Sequence, residues 1–157
     1  MRVGIGFDAH NLRPGRRLII GGTDFPSRKG LQGYSDADVL LHAICDSILG
    51  ALAQPDIGVQ FANTNPKYRG ADSAKLLKTV MQNVRRLHWR IINVDCTIIC
   101  DQPKVAPYAS TMKKRIACLL SIDPDRVGIK AKTTEGTGLA HRRRSIAALT
   151  VVLLGRP

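Results

Sequence analysis

Residues 35–53 read SDADVLLHAICDSILGALA, and in this stretch apolar side chains recur every three or four positions. That spacing predicts a helix with one buried face. Ser35 or Asp36 is the expected N-cap, because short polar side chains accept hydrogen bonds from the first free N–H groups. The predicted buried face consists of Val39, Leu40, Ala43, Ile44, Ile48 and Leu52.

Strand patterns precede this helix. Residues 1–8, MRVGIGFD, alternate Val3, Ile5 and Phe7 with polar residues and glycine, which predicts a strand. Residues 16–25, RRLIIGGTDF, predict two short strands that form a hairpin around Gly21-Gly22. Beyond the helix, residues 56–70 are rich in Asn, Gly and Pro and predict a loop.

The rest of the chain alternates between the two periods. Helices are predicted in residues 71–89 and 107–120, and strands in 92–100, 126–134 and 145–154. This order predicts an α/β fold, an α+β sandwich in which helices pack on one face of a mixed β-sheet, with ferredoxin-like βαβ elements. A length of 157 residues predicts a single catalytic domain over residues 1–157.

Composition narrows the classes of partner. The chain has 24 Lys and Arg against 12 Asp and Glu, a net charge of +12, and the excess is concentrated after residue 101. This excess predicts an anionic partner, such as nucleic acid, a phosphorylated metabolite or an acidic surface, although a solvated basic surface has the same composition. No apolar run approaches the ~20 residues of a membrane span, and the glycine-punctuated start does not resemble a signal peptide. We therefore expect a cytoplasmic location.

The four cysteines, Cys45, Cys96, Cys100 and Cys118, form no CxxC pair. They lie within apolar helix and strand patterns. We expect reduced, buried thiols rather than zinc ligands or disulfides.

Asp8 and His10 are two residues apart at the end of the first predicted strand. Side chains at i and i+2 of a strand point the same way, so the two can reach one point in space. His42 is a candidate third ligand, and Asp38 and Asp46, one helical turn to either side, are candidates to orient its ring. Two imidazoles and a carboxylate suit zinc with an open fourth position. The spacing alone equally fits a surface histidine that forms salt bridges with its neighbours, and that is the simpler interpretation.

Residues 130–144, KAKTTEGTGLAHRRR, combine Lys and Thr with a glycine-containing loop and a basic cluster. Such donors suit phosphate oxygens. Glu135 is the only glutamate of the chain, and a carboxylate beside phosphate needs a cation such as Mg²⁺ or Mn²⁺ between them. An ordinary basic strand–loop junction is the alternative. Together, the two candidate sites favour metal-assisted phosphoryl transfer on a diphosphate.

Several stretches, taken together, resemble one known family essentially from end to end. They are GFDAH (6–10), IIGG (19–22), YSDADVLLHAICDSILGA (34–51), DIGVQF (56–61), NTNPKYRGADS (63–73), NVDCTIICDQPKVAPY (93–108) and KAKTTEGTGL (130–139). The combination of DxH, SDxDVxxHA and TTExxG resembles the 2-C-methyl-D-erythritol 2,4-cyclodiphosphate synthases of the non-mevalonate isoprenoid pathway.

This resemblance implies an activity and an assembly. The expected enzyme is a phosphorus–oxygen lyase that closes 4-diphosphocytidyl-2-C-methyl-D-erythritol 2-phosphate into a cyclic diphosphate and releases CMP. The expected assembly is a homotrimer with active sites between subunits, and with an anion or isoprenoid diphosphate in a cavity on the trimer axis. The partner is a cytidine-diphosphate-linked small molecule, with neither nucleic acid nor membrane. A basic nucleic-acid-binding module and a family member with impaired activity are the alternatives.

The resemblance also implies roles for individual residues. Zinc is expected at Asp8, His10 and His42, and Mg²⁺ or Mn²⁺ at Glu135. Thr133 and Tyr34 are the expected catalytic residues. Asp56, Ile57, Gly58, Phe61, Ala62, Asn63, Thr64 and Asn65 are expected to hold the erythritol part. Cys100, Asp101, Gln102, Pro103, Lys104, Val105, Ala106 and Ala131 are expected to form the cytidine pocket. The remaining expected substrate contacts are Ala9, Ser35, Lys132, Thr134, Leu139 and Arg142.

The chain departs from the family pattern at several of these positions. Tyr34 stands where the family usually has His, and tyrosine cannot carry a positive charge near neutral pH. Asn63 and Asn65 stand where Asp is common, and Lys132 replaces a small polar residue. Arg142 is followed by further arginines, and Leu149 occupies the place of a later acid. We therefore expect an anion, or outward-turned side chains, where these arginines converge.

Overall fold

The structure is a computed structural model that describes residues 1–135 and 144–156. Its strands and helices alternate along the chain as the sequence predicts. The strands are β1 (Arg2–Pro14), β2 (Leu18–Ile20), β3 (Thr23–Phe25), β4 (Lys29–Leu31), β5 (Arg90–Ile99), β6 (Val127–Lys132) and β7 (Ser145–Gly155). The helices are α1 (Val39–Ala51), α2 (Ile57–Gln60), α3 (Ser73–Arg86) and α4 (Ala109–Leu120).

Five strands form one mixed sheet in the order β4-β1-β7-β5-β6. All neighbouring pairs are antiparallel except β5 and β6, which are parallel. Strands β2 and β3 form a separate antiparallel hairpin, as predicted around Gly21-Gly22. Strand β4 and helix α2 were not predicted, because elements of three and four residues are too short to show a period.

The two faces of β1 have opposite environments. Gly4 and Gly6 are buried against α1, whereas Val3, Ile5 and Phe7 are 69, 66 and 57% exposed. The exposed side chains continue across the sheet, since Phe7 pairs with Leu149 and Ile5 with Val151. The helices therefore pack on one face, as predicted, and the opposite face, which we call the open face, presents apolar side chains of β1 and β7 to solvent.

The N-cap of α1 is Asp38, so the prediction of Ser35 or Asp36 was wrong. The carboxylate of Asp38 accepts N–H bonds from Leu40 and Leu41 in the first turn of the helix, both at 3.1 Å. It also accepts from Gly21 at 2.8 Å and Gly22 at 2.6 Å in the β2–β3 turn. Asp38 is fully buried, and one side chain thus fixes the hairpin to the start of α1.

Cys45, Cys96 and Cys100 are buried free thiols, as predicted, but Cys118 is exposed, contrary to the prediction. No described helix has the length and apolarity that a membrane span requires. The predicted site residues Leu139 and Arg142 lie outside the described residues.

Candidate metal centre

Asp8 and His10 lie on the face of β1 that is covered by α1, the same face as Gly4 and Gly6. Helix α1 approaches β1 closely there because the two glycines have no side chains. His42, on α1, therefore reaches the two strand residues. The predicted triad forms, and it spans a strand and a helix.

The three side chains present their ligand atoms to one another. Asp8 Oδ2 is 2.9 Å from His10 Nε2 and 2.9 Å from His42 Nδ1, and the two histidine nitrogens are 3.3 Å apart. The side chains of Asp8, His10 and His42 are 23, 21 and 12% exposed. These three residues could hold a metal ion.

The charge states of Asp8 and His42 depend on each other. Burial by itself would raise the pKa of Asp8, but hydrogen bonds with His10 and His42 and their charges outweigh it and hold this pKa well below its usual range. Burial would lower the pKa of His42, but the hydrogen bond with Asp8 and the charges of Asp8, Asp38 and Asp36 raise it above 6.5. The centre therefore keeps Asp8 ionised and ready to bind a cation.

The other ring nitrogen of His42 faces two serines. Nε2 is 2.8 Å from Ser73 Oγ and 3.1 Å from Ser35 Oγ. Asp36 accepts hydrogen bonds from Ser73 through both the hydroxyl and the backbone N–H, the latter at 3.0 Å. Neither contact was predicted, since Ser73 had no predicted role and Asp36 was predicted only as a possible helix cap. Their one sequence signal is that both lie in stretches that resemble the family.

The hypothesis that Asp38 and Asp46 hold the His42 ring was wrong. Asp38 binds the backbone N–H groups already described, and burial raises its pKa to about 6 although the N–H groups of Gly22, Leu41 and Gly21 act in the opposite direction. Asp46 accepts the N–H of Ile57 at 2.8 Å and so positions α2. Both carboxylates are used to join segments of backbone.

A cavity of about 270 Å³ adjoins the triad. Tyr34 and Ser35 line it from one side, and α2 with the following residues lines it from the other. The predicted residues in its wall are Asp8, His10, Tyr34, Ser35, His42, Ile57, Gly58, Phe61 and Asn63, and the unpredicted ones are Asp46 and Leu76. The methyl group of Ala9 lies on the open face, because it alternates with Asp8 and His10 along β1.

Side-chain caps order the loop beyond this cavity. Asp56 accepts the N–H of Val59 at 2.9 Å, and Asn65 accepts the N–H of Lys67 at 3.0 Å. Tyr34 donates its hydroxyl to the carbonyl oxygen of Asn65 at 3.3 Å. The predicted loop residues therefore form an ordered wall, and Ala62 and Thr64 lie in the same segment.

The second set of predicted residues lies at the ends of β5 and β6. Cys100 donates its backbone N–H to the carbonyl of Lys132 at 2.8 Å. Asp101 accepts hydrogen bonds from the N–H of Thr134 at 2.8 Å and from its hydroxyl. Strand β6 ends at Lys132 rather than at the predicted residue 134, and Thr134 is buried beside Asp101.

The rest of this set surrounds that junction. Thr133 donates its hydroxyl to Glu135, whose φ of 46° turns the chain away from the strand direction. Gln102 and Pro103 line a separate depression of about 320 Å³. Lys104 and Ala106 are exposed, and Val105 is buried. Among the described residues that line the cavity beside the triad, none belongs to this second set.

Strands β7 and β5 lie between the triad residues on β1 and the second set of predicted residues at the end of β6. Across the sheet, Asp8 pairs with Ala148, Ala148 with Ile98, and Ile98 with Ala131. Three strand spacings amount to about 14 Å. Ala148 and Ile98 are fully buried, so core packing fills the covered face between the two sets. The chain brings together the metal ligands and one cavity, but it does not bring the residues near Thr133 to them.

A protein-family model described as the YgbB family matches residues 1–155. The chain belongs to the YgbB family. A relative from Geobacter sulfurreducens, named 2-C-methyl-D-erythritol 2,4-cyclodiphosphate synthase, is 53% identical over 154 residues, which cover 98% of each chain. The nucleic-acid-binding hypothesis finds no support in these matches.

Solved structures agree with this YgbB-family assignment. One, described as a 2C-methyl-D-erythritol-2,4-cyclodiphosphate synthase in a form with CDP bound, superposes with a TM-score of 0.90 at 32% identity and covers 98% of this chain and 100% of its own. Another, from Plasmodium falciparum and described as an IspF–CDP complex, has a TM-score of 0.86 at 31% identity and covers 99% of this chain and 96% of its own.

Proposed function

We propose that this chain is a 2-C-methyl-D-erythritol 2,4-cyclodiphosphate synthase, a phosphorus–oxygen lyase of isoprenoid biosynthesis. The observation that carries the proposal is the convergence of Asp8, His10 and His42 beside a cavity. The 53% identity to a protein of that name supports it. The substrate is 4-diphosphocytidyl-2-C-methyl-D-erythritol 2-phosphate. The single catalytic domain over residues 1–157 and the cytoplasmic location stay predictions.

The proposed reaction is an intramolecular phosphoryl transfer. An oxygen of the substrate's 2-phosphate forms a bond to the β-phosphorus, and the bond from that phosphorus to the oxygen of CMP breaks. CMP leaves with this oxygen and its electron pair, and no water is consumed. Because attacking and leaving groups belong to one molecule, the protein mainly has to fold the substrate and neutralise its charge.

The donor atoms of the triad fit zinc. Tetrahedral bonds of about 2.0–2.1 Å place ligand atoms roughly 3.3 Å apart. The three donor atoms form a triangle with edges of 2.9, 2.9 and 3.3 Å. Zinc bound there would supply positive charge for phosphate oxygens and keep its fourth position open for them.

We assign the erythritol part of the substrate to the cavity beside the triad. Asp56, Ile57, Gly58 and residues 61–65 would hold its hydroxyl groups. The capped loop supports this assignment, because its side chains already bind backbone and so hold it in place. Tyr34 and Ser35 line the same cavity, and Tyr34 would release the carbonyl of Asn65 and donate its hydroxyl to a phosphate oxygen instead.

We assign the cytidine and the diphosphate to the second set of residues. Residues 100–106 and Ala131 would form the cytidine pocket, and the CDP bound by two structural relatives supports a cytidine-linked substrate. Lys132, Thr133 and Thr134 would bind phosphate oxygens, and Glu135 would hold Mg²⁺ or Mn²⁺. Leu139 and Arg142 are further proposed substrate contacts.

A homotrimer would unite the two sets. Within one chain the two sets are about 14 Å apart across a packed sheet. A complete site would therefore combine the metal ligands of one subunit with the second set of residues from a neighbouring subunit. The open face supports such an assembly, because Val3, Ile5 and Phe7 expose an apolar surface that association would bury. Leu149 lies on the open face, and the exposed Arg144 directly precedes β7. An anion or isoprenoid diphosphate in the axial cavity would offset the positive charge of the arginines that we expect to line it.

The test is release of CMP from the cytidyl substrate by the purified, zinc-loaded protein with Mg²⁺ present. We expect CMP by chromatography and the cyclic diphosphate by ³¹P NMR in equal amounts. Removing zinc with a chelator should abolish both products, and adding zinc back should restore them.

Asp8→Ala removes the carboxylate oxygen that contacts both histidines. This change should abolish zinc retention and activity together. Full activity in a metal-free Asp8→Ala variant would refute the site. A wild-type protein that retains zinc but releases no CMP would instead identify a family member with impaired activity.

A further inference from the structure

We infer that Asp36 and Ser73 are positioning residues for the metal centre, because their hydrogen bonds fix which nitrogen of His42 faces the metal. The inference rests on the proposed metal site and adds two residues that touch neither the ion nor the substrate. It follows from the direction in which each hydrogen bond must run.

Asp36 accepts every hydrogen bond that its side chain makes among the described residues. Its Oδ2 accepts the backbone N–H of Ser73 at 3.0 Å, and its Oδ1 accepts the backbone N–H of Asp38 at 3.1 Å. The hydroxyl of Ser73 also points to Oδ1. Both oxygens of this carboxylate accept backbone N–H bonds, so the side chain acts as an acceptor and Ser73 donates its hydroxyl proton to it.

The hydroxyl of Ser73 has one proton, and Asp36 takes it. The oxygen of Ser73 can therefore only accept from His42 Nε2, which lies 2.8 Å away. Two lone pairs facing each other at that distance would repel, so Nε2 carries a proton. Ser35 Oγ lies 3.1 Å from the same nitrogen, and with Nε2 protonated it can only accept from it. The neutral imidazole then has its lone pair on Nδ1.

Nδ1 is the nitrogen that faces Asp8 Oδ2 and His10 Nε2, at 2.9 and 3.3 Å. With Nε2 protonated, Nδ1 is the nitrogen that can give its lone pair to a metal, which then replaces the proton that bonds Nδ1 to Asp8 in the metal-free protein. A metal-binding histidine is commonly oriented through its other nitrogen, and removing that partner typically weakens metal binding by about 10- to 100-fold.

The hydroxyl of Ser73 has no other structural duty in its helix. Asp72 is the N-cap of α3 and accepts the N–H of Ala74 at 2.8 Å, so the helix is capped without Ser73. Ser73 is fully buried, which excludes it from direct contact with substrate. Its polar group therefore serves His42 and Asp36.

Two variants of matched shape isolate the hydroxyl. Ser73→Thr keeps it, and Ser73→Val replaces it by a methyl group of similar size. We would measure zinc affinity by competition with a chelator, and the His42 ring nitrogens by ¹⁵N NMR of the zinc-loaded protein. Ser47→Ala is the control, because Ser47 is a buried serine on α1 whose hydroxyl donates to the carbonyl of Ile44, within its own helix. Ser73→Ala repeats the loss of the hydroxyl without added bulk, and melting of the zinc-free proteins reports folding.

We expect Ser73→Val and Ser73→Ala to bind zinc about 10- to 100-fold more weakly than the wild type. Ser73→Thr and Ser47→Ala should stay close to wild type, and His42 should carry its proton on Nε2. Equal zinc affinity in the Thr and Val variants, or a proton on Nδ1 with zinc at Nε2, would overturn the inference. Zinc affinity is measured without substrate, so a failure to release CMP leaves this result interpretable.

Discussion

Gly6 packs directly on the carbonyl oxygen of Ala43: a Cβ at Gly6 would lie 2.0 Å from that oxygen. The contact joins β1 to α1 two residues before Asp8 and one residue after His42. The spacing between a strand and a helix therefore sets the spacing between metal ligands. Glycine is required there because any side chain would push the two elements apart.

Gly6→Ala should destabilise the fold by about 3 kcal/mol, the upper end of the usual cost of overpacking, because the clash is with backbone that cannot move aside. It should also weaken zinc binding, because β1 and α1 must separate. The control is Gly50→Ala on α1, whose Cβ would meet only the carbonyl of Ile5 at 3.7 Å. That change should stabilise the protein by about 0.5–1 kcal/mol. Chemical unfolding and zinc titration check both, and equal stability of the two variants would contradict the packing.

The pair of Asp8 and His42 should make the stability of the metal-free protein depend on pH. The pKa of Asp8 is lowered from 3.8 on folding, so its contribution is present above that pH and is lost as pH falls. The pKa of His42 is raised from 6.5, so its contribution is present below that pH and is lost as pH rises through the folded value.

The pair should therefore stabilise the metal-free fold most between about pH 4 and 6.5. The measurement is the difference in melting temperature between wild type and Asp8→Asn, with a chelator present, across pH. We expect the advantage of the wild type to be greatest in this window. An advantage that does not change between pH 5.5 and 9 would show that the pair is not coupled.

Tyr34 offers a neutral hydrogen-bond donor in the wall of the cavity beside the triad. Tyr34→Phe should lower kcat by about 10²-fold if the hydroxyl stabilises charge on phosphate, the usual scale for one such donor. Zinc affinity should not change, because Tyr34 is not a ligand. Tyr108→Phe is the matched control, since that ring packs on Phe25 with ring centroids 4.3 Å apart and does not line the cavity beside the triad. Unchanged kcat in Tyr34→Phe would show that the hydroxyl has no catalytic role.

A charge on the open face should separate the subunits of the proposed trimer. Phe7→Asp places a carboxylate among Ile5, Leu149 and Val151, whereas Thr111→Asp adds the same charge at an exposed position of α4. We expect sedimentation to show monomers for Phe7→Asp and the wild-type assembly for Thr111→Asp. The monomer should also lose CMP release. If Phe7→Asp stays assembled, this face is not the interface.

The order and type of the long elements could be predicted because each spans several periods of its pattern. Periodicity could not tell which face of β1 is covered, since glycines alternate with apolar residues there and it is the glycine face that α1 covers. The cap of α1 was misassigned because Asp38 binds two distant residues, Gly21 and Gly22, as well as its own helix. No local pattern reports a contact across 16 residues.

The triad could be predicted from the resemblance, and the alternation of Asp8 and His10 made it physically reasonable. The partners of His42 could not, because Ser73 is 31 residues away and lies at the start of another helix. Asp38 and Asp46 have the right helical spacing, but their carboxylates bind backbone instead. Spacing along the helix therefore did not predict the hydrogen-bond partners of His42, because backbone N–H groups already bind both carboxylates.

Strand β1 carries Asp8 and His10 on one face and Val3, Ile5 and Phe7 on the other. In the proposed trimer, subunit association holds the strand from one side and metal holds it from the other. Two binding events that stabilise the same element favour each other, and the coupling is reciprocal. Diluting the protein until its subunits dissociate should therefore lower its affinity for the metal. Removing the metal should raise the protein concentration at which the subunits dissociate.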